Sequence, residues 1–336
     1  MAYEYPESGT SMDGPRPHIN GAQAQRAGLG RQPANRPRPG KLPGVFFVGP
    51  PRTATTWLHS VLKDRMNLPY TKETVFYDQR YARGFGWYLA HFDRCADHLP
   101  KAEIAPTYFF SNLARRRILA SAGRVKIVVT LRDPAHRLYS LYRLRYSNAD
   151  FGWSLDEACD HDEEFSTATE CSFHLAAWQD CFGAANVLTL LYEDLIADQQ
   201  AFIDRVCRFA GLPLFELNAP ERTPLNSSRP AVMPRHRAWT RLGVSVGNWI
   251  YRREWDRALI LIRKLKLRRF FLEGGQTFPG LDPEGERRLR LKLLPDIERL
   301  ESMLGRDLSM WKPRGDGEDN SSAADIRVAK ACPGAR

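Results

Sequence analysis

Eight residues, Gly49-Pro-Pro-Arg-Thr-Ala-Thr-Thr56, put one cation and three hydroxyls into a turn that follows the apolar run Val45-Phe-Phe-Val48. The turn leads at once into Thr55-Thr-Trp-Leu-His-Ser-Val-Leu62, which reads as a helix start. A strand, a tight loop and a helix in that order aim backbone N–H groups and a helix dipole at one point, and an anion suits that point. Matched to GxxxxGK[ST], Gly49 fits the first glycine and Thr56 the hydroxyl position, whereas Ala54 replaces the second glycine and Thr55 the lysine. Loss of the lysine that reaches the β- and γ-phosphates disfavours an ATPase or GTPase. Arg52 and the hydroxyls of Thr53, Thr55 and Thr56 are left to hold another anionic group.

A second pattern, Leu131-Arg-Asp-Pro-Ala-His-Arg-Leu-Tyr-Ser-Leu-Tyr142, leaves the apolar run Val125-Lys-Ile-Val-Val-Thr-Leu131. Arg132 stands at the strand end, and Asp133-Pro134 opens a helix. Ser140, eight residues after Arg132, returns on that helix towards the same cleft. A guanidinium fork and a hydroxyl together suit one phosphate group.

Both loops need a scaffold that brings them together. Val187-Leu-Thr-Leu-Leu191 is a third apolar run, followed by Glu193-Asp-Leu and an amphipathic stretch from Gln199 to Phe209. Strands alternating with helices predict βαβ units. The expected fold class is therefore α/β: a P-loop-like three-layer fold with a central parallel sheet flanked by helices. Ligands bind such sheets at the carboxyl ends of the strands, where both loops fall.

PPRTATTWL resembles the 5′-phosphosulfate loop of sulfotransferases that use 3′-phosphoadenosine 5′-phosphosulfate (PAPS), with Arg52 in place of the usual lysine. The run from Arg132 to Ser140 resembles that family's 3′-phosphate site, and the two motifs occur in the family's order. The resemblance extends to Leu191-Tyr-Glu-Asp-Leu195 and to Leu304-Gly-Arg-Asp-Leu-Ser-Met-Trp311, so it covers about Gly44 to Trp311. It implies that Arg52, Thr53, Ala54, Thr55, Thr56 and Trp57 hold the phosphosulfate and that Arg132 and Ser140 hold the 3′-phosphate. In that pattern Arg137 serves as helix support.

Sulfuryl transfer needs a base for the acceptor, cations to spread the developing charge, and no metal. Thr71-Lys-Glu-Thr-Val-Phe-Tyr-Asp78 resembles a stretch of the heparan-type glucosaminyl sulfotransferases whose glutamate is the base, which implies Glu73. Such a carboxylate is expected just after a strand, in the cleft facing the first loop. Glu103-Ile-Ala-Pro-Thr-Tyr-Phe109 resembles a second stretch of that branch, with Ile104 in place of a lysine. The competing base is His98, whose His98-Leu-Pro100 echoes the small-molecule branch, and Glu73 is preferred over it. The implied acceptor is a hydroxyl, ahead of an amine, on a glycan, glycolipid or glycosylated metabolite. The alternatives are sulfation of a non-carbohydrate natural product and a nucleotide-binding protein with weakened catalysis.

Composition sets the outer limits. With 336 residues and 43% hydrophobic content the chain is globular rather than disordered overall. No uncharged apolar stretch of about 18 or more residues suggests a membrane span. The amino terminus lacks a basic start followed by an apolar run, and the six cysteines form no CxxC pair. A cytoplasmic protein without a zinc site or disulfide framework is expected. The net charge is +10, and 13 Lys/Arg against 3 Asp/Glu between Arg222 and Glu273 match that whole excess. That basic helical segment calls for the acceptor or an anionic surface, and not for nucleic acid; WDRALILIRKLKLRRFF inside it reads first as a core-packing helix with a solvated basic face, and second as a stretch that touches a membrane surface or an anionic glycan. Residues 1–43 and 312–336 read as a disordered arm and tail around a folded domain at 44–311.

Overall fold

The structure, a computed structural model, describes residues 37, 40–93, 98–148, 152–162, 165–166, 169–222, 237–252 and 278–313. The three apolar runs form strands β1 (Val45–Phe47), β3 (Lys126–Leu131) and β4 (Val187–Leu191). A fourth strand, β2 (Ala102–Ile104), lies within the stretch read only as a motif. All four pair in parallel, in the order β2-β1-β3-β4.

Helices cover both faces. One face of the sheet presents Phe46, Ile127, Val129 and Leu131. Against it pack α3 (Asn112–Ala122), α4 (Pro134–Ser147), α5 (Leu155–His161), α6 (Cys171–Phe182) and α10 (Pro283–Leu304). The short helix α2 (Gly84–Ala90) joins them through Phe85 and Tyr88. The other face presents Val45, Phe47, Val128 and Leu190 to α1 (Thr55–Leu62) and α8 (Gln199–Ala210). The alternation of Val45, Phe46 and Phe47 between the faces follows from the period of two in an extended chain.

Neighbours β1 and β3 send their helices to opposite faces, α1 to one and α4 to the other. At the carboxyl end of the sheet the chain therefore leaves these two neighbouring strands in opposite directions, the kind of switch point at which parallel sheets bind ligands. Gly49 makes that end close enough. A Cβ there would lie 2.6 Å from the backbone nitrogen of Thr130 and 2.7 Å from its oxygen, so any side chain pushes the loop after β1 away from β3.

The start of α4 is locked from three sides. Asp133 caps the amides of Ala135 and His136. Arg290 of α10 donates to Asp133 Oδ2 at 2.7 Å and to the carbonyl of Trp311. Glu193, in α7 (Tyr192–Ala197), accepts from the amide of Asp133 at 2.9 Å.

Leu42 packs on the core and Lys312 pairs with Glu301, so described contacts extend to both of these residues. The remainder of the arm and tail lies outside the described residues, apart from a few positions, as does most of 222–273. Glu73 does not follow a full strand. A single parallel bridge, Asn67 with Lys101, precedes an open loop that carries Glu73 into a π-helical turn at Phe76–Arg80. Among the described residues no helix is long and apolar enough to cross a membrane. Cys159, Cys171, Cys181 and Cys207 are free thiols.

Candidate active site

The loop after β1 is shaped by its backbone. Arg52 has φ 75° and Ala54 φ 63°, both in the left-handed region, and Ala54 is the N-cap of α1. Buried Thr53 closes the turn by donating to the carbonyl of Pro50 at 2.7 Å. No side chain caps α1, and its first turn holds no carboxylate. By contrast Ser111, Asp133 and Asp282 cap α3, α4 and α10. The amides at the start of α1 thus keep their donors for a group lying over the loop, as an anion site requires.

The loop after β3 meets this one. Arg52 Nε donates to Ser140 Oγ at 3.0 Å, across 88 residues of chain. Arg132 Nη1 donates to the carbonyl of Arg52 at 3.3 Å. The Arg132 guanidinium lies 4.5 Å from the ring centre of Tyr192, a partner the sequence did not reveal. Burial draws that guanidinium below its ordinary range, with Tyr192 and Glu193 pulling it back up. Arg52, Arg132 and Ser140 are therefore one cluster. Arg137 is not part of it: it is buried, 3.9 Å from Cys171 Sγ and 5.8 Å from the ring centre of Phe110. Trp57 sends its indole away from the loop. Its Nε1 donates to the carbonyl of Glu221 at 2.9 Å and its ring meets Phe202 edge-on, so it offers the cleft only backbone.

Glu73 is brought to the same place by its neighbours. Lys72 Nζ donates to Thr56 Oγ1 at 2.7 Å, which ties the Glu73 loop to the first turn of α1. On the other side Thr74 is fully buried, and Val75 has φ 49°. Among the described residues Arg52, Ala54 and Val75 are the non-glycine residues with positive φ, and all three lie in these two loops. Such a backbone costs about 1–3 kcal/mol per residue and is held only where the surroundings over-determine it. His98 is exposed and precedes β2, at the amino end of the sheet and so at the opposite end from the loops after β1 and β3.

Glu103 is the residue that reading the sequence did not assign a role. Fully buried in the middle of β2, it accepts from Thr74 Oγ1 at 2.5 Å, Tyr88 Oη at 2.6 Å and Tyr108 Oη at 3.1 Å. Burial pushes its carboxyl up to about 7, against the pull of those three hydroxyls, and Asp78 adds to the rise. Between its ordinary 4.5 and about 7 the folded chain holds a proton that the unfolded chain has lost. Stability therefore falls as pH rises through that window. Thermal melting at about pH 5 and about pH 7.5 checks this, and Glu103→Gln flattens that part of the profile. A charged residue flanked by Ala102, Ile104 and Ala105 was the available signal.

Among the described residues no group of three His, Cys, Asp or Glu could hold a metal ion. The donor set of the cleft, two guanidiniums, hydroxyls and helix amides, is suited to an anionic ligand.

Comparison with known proteins bears on the family and the fold. A family model described as "Sulfotransferase domain" matches residues 42–224. The human bifunctional heparan sulfate N-deacetylase/N-sulfotransferase 2 is 26% identical over 201 residues, covering 52% of this chain and 22% of that protein. The human heparan sulfate glucosamine 3-O-sulfotransferase 6 is 27% identical over 191 residues, covering 53% of this chain and 55% of that one. The chain thus spans well under two thirds of either relative. A crystal structure of a sulfotransferase from Alicyclobacillus acidocaldarius shares the fold, with a TM-score of 0.58 at 18% identity over 80% of this chain and 98% of that one. With the family model covering more than half of its residues, the chain belongs to the sulfotransferase domain family.

Proposed function

We propose that this sulfotransferase moves the sulfuryl group of PAPS to a hydroxyl, ahead of an amine, on a carbohydrate-containing acceptor, with Glu73 as the base. One observation carries this: hydrogen bonds join Arg52, Ser140 and Arg132, and the Lys72–Thr56 contact holds the Glu73 loop against the same helix start. The uncapped start of α1 fits a 5′-phosphosulfate, with Thr53, Ala54, Thr55, Thr56 and Trp57 supplying backbone. Arg132 and Ser140 fit the 3′-phosphate. The acceptor oxygen bonds to sulfur as the bond from sulfur to the 5′-phosphate oxygen breaks, and the acceptor proton passes to Glu73. The names of the two human relatives support a sugar acceptor.

The test is transfer from labelled PAPS, without added metal, to glycan, glycolipid and glycosylated-metabolite acceptors. A labelled sugar is the expected product. Transfer only to non-carbohydrate acceptors overturns the acceptor class, and nucleotide binding without any transfer overturns the enzyme. Arg132→Ala is expected to weaken 3′-phosphoadenosine 5′-phosphate by about 1.5–3 kcal/mol, the worth of a charge-assisted contact, and adenosine 5′-phosphate far less. Equal calorimetric losses for both nucleotides contradict the assignment.

The same reading gives the basic segment a place beside the acceptor or an anionic surface of a cytoplasmic membrane. Described residues on either side of it, Glu221 and Pro279, are fastened near the helices that leave the two loops. Glu221 accepts from Trp57 Nε1 through its carbonyl and pairs with Arg65, while Tyr139 of α4 donates to the carbonyl of Pro279. Within the segment, α9 (Arg237–Arg252) carries three arginines and no carboxylate, and exposes Trp239, Leu242 and Val246. Arg263, Lys264 and Lys266 lie outside the described residues. Reversing these three to glutamate is expected to raise the acceptor KM and flatten its salt dependence.

A further inference from the structure

The Glu103 carboxylate is an odd feature for a core. Its partners among the described residues are three hydroxyls and no cation. Burying a carboxylate is costly, and apolar side chains of similar size would fill the space more cheaply. The partners show what the arrangement does. Thr74 Oγ1 donates to Glu103 and accepts from the amide of Phe76 at 3.1 Å. Tyr108 Oη donates to Glu103 and accepts from the amide of Tyr77 at 3.1 Å. Tyr88, the third donor, stacks its ring on Phe76 at 4.4 Å with 14° between the planes. All three arms return to residues 74–77, the turn that starts one residue after Glu73 and contains Val75 with its positive φ.

We propose that Glu103 is a positioning residue for Glu73: through Thr74, Tyr88 and Tyr108 it holds the strained turn that aims the base into the cleft. This role presupposes that Glu73 is the base. Glu73 lies between two fastened neighbours. Lys72 is tied to Thr56 beside the first loop, and Thr74 to Glu103 in the sheet. A side chain set between two fixed points keeps a defined approach to the acceptor, whereas release of either point leaves it free to wander. A buried polar network with every member satisfied specifies one arrangement in this way. Misplacement of a reacting group by about 1 Å can cost about a hundred-fold in rate.

The test uses the full chain. Thr74→Val keeps the shape of the side chain and removes its hydroxyl. It is expected to lower kcat about ten- to a hundred-fold, with affinity for 3′-phosphoadenosine 5′-phosphate unchanged. Thr74→Ser restores the hydroxyl and is expected to recover kcat to within about three-fold. Glu103→Leu follows Thr74→Val. Glu103→Gln follows Thr74→Ser, because its amide oxygen still accepts from Thr74 and Tyr108 while its nitrogen donates to Tyr88. Unchanged kcat in Thr74→Val overturns the inference, as does a kcat that falls only in step with the melting temperature and nucleotide affinity. An undiminished kcat in Glu73→Gln overturns the base itself. An inactive Glu73→Gln beside an unimpaired Thr74→Val overturns this inference alone.

Discussion

Glu73→Gln is expected to lower turnover by about 10²–10⁴-fold, the usual contribution of a positioned general base, while affinity for PAPS stays nearly the same. Glutamine keeps the volume and much of the hydrogen bonding of glutamate and removes only its basicity. The nucleotide is assigned to Arg52, Arg132, Ser140 and the start of α1, and the substitution leaves all of these residues in the chain. His98→Asn is expected to do far less, since His98 stands at the amino end of β2, away from the loops after β1 and β3. Steady-state turnover with the best acceptor, alongside calorimetric nucleotide affinity, checks both. An inactive His98→Asn with an active Glu73→Gln would move the protein to the small-molecule branch and remove the case for a sugar acceptor.

The second large effect belongs to Arg52. Its Nε donates to Ser140 at 3.0 Å, which sets the guanidinium between the loop after β1 and the helix that carries Ser140. Charge on the bridging oxygen grows as the bond to sulfur breaks, so a cation there binds the transition state more tightly than the ground state. Arg52→Ala is therefore expected to lower kcat more than it weakens nucleotide binding, by about 10²–10³-fold if it acts as one preorganised donor does elsewhere. A variant in which only the KM for PAPS changes would make Arg52 a binding residue and no more. Lysine at this position retains the charge but not the fork that reaches Ser140 at the same time.

What could be read from the residues was local. Three strands were legible because each is dominated by Val, Ile, Leu or Phe, and Asp133-Pro134 announced α4 through cap and proline chemistry. β2 was not legible as a strand, being three residues long with a glutamate at its centre. The loops after β1 and β3 were recognisable separately. Their contact was not, since the Arg52–Ser140 bond spans 88 residues and depends on the register of two parallel strands. The partners of Glu103 are similarly remote, 29 residues away at Thr74 and 15 at Tyr88. Positive φ at Arg52 and Val75 has no sequence signal, because neither residue type favours it. For the basic segment the charge was plain, and its placement is described only at Arg222 and along α9.

The left-handed backbone at Arg52 sets fold and chemistry against each other at one position. Glycine would sit there without strain, yet glycine has no cation. A chain that needs only to fold gains from losing this arginine, and a chain that uses it in sulfuryl transfer as proposed cannot spare it. Copies of the gene released from the second demand but not the first would drift towards glycine at position 52 before other parts of the domain decay. The residue found there thus separates descendants that still act from those that merely persist, without any assay.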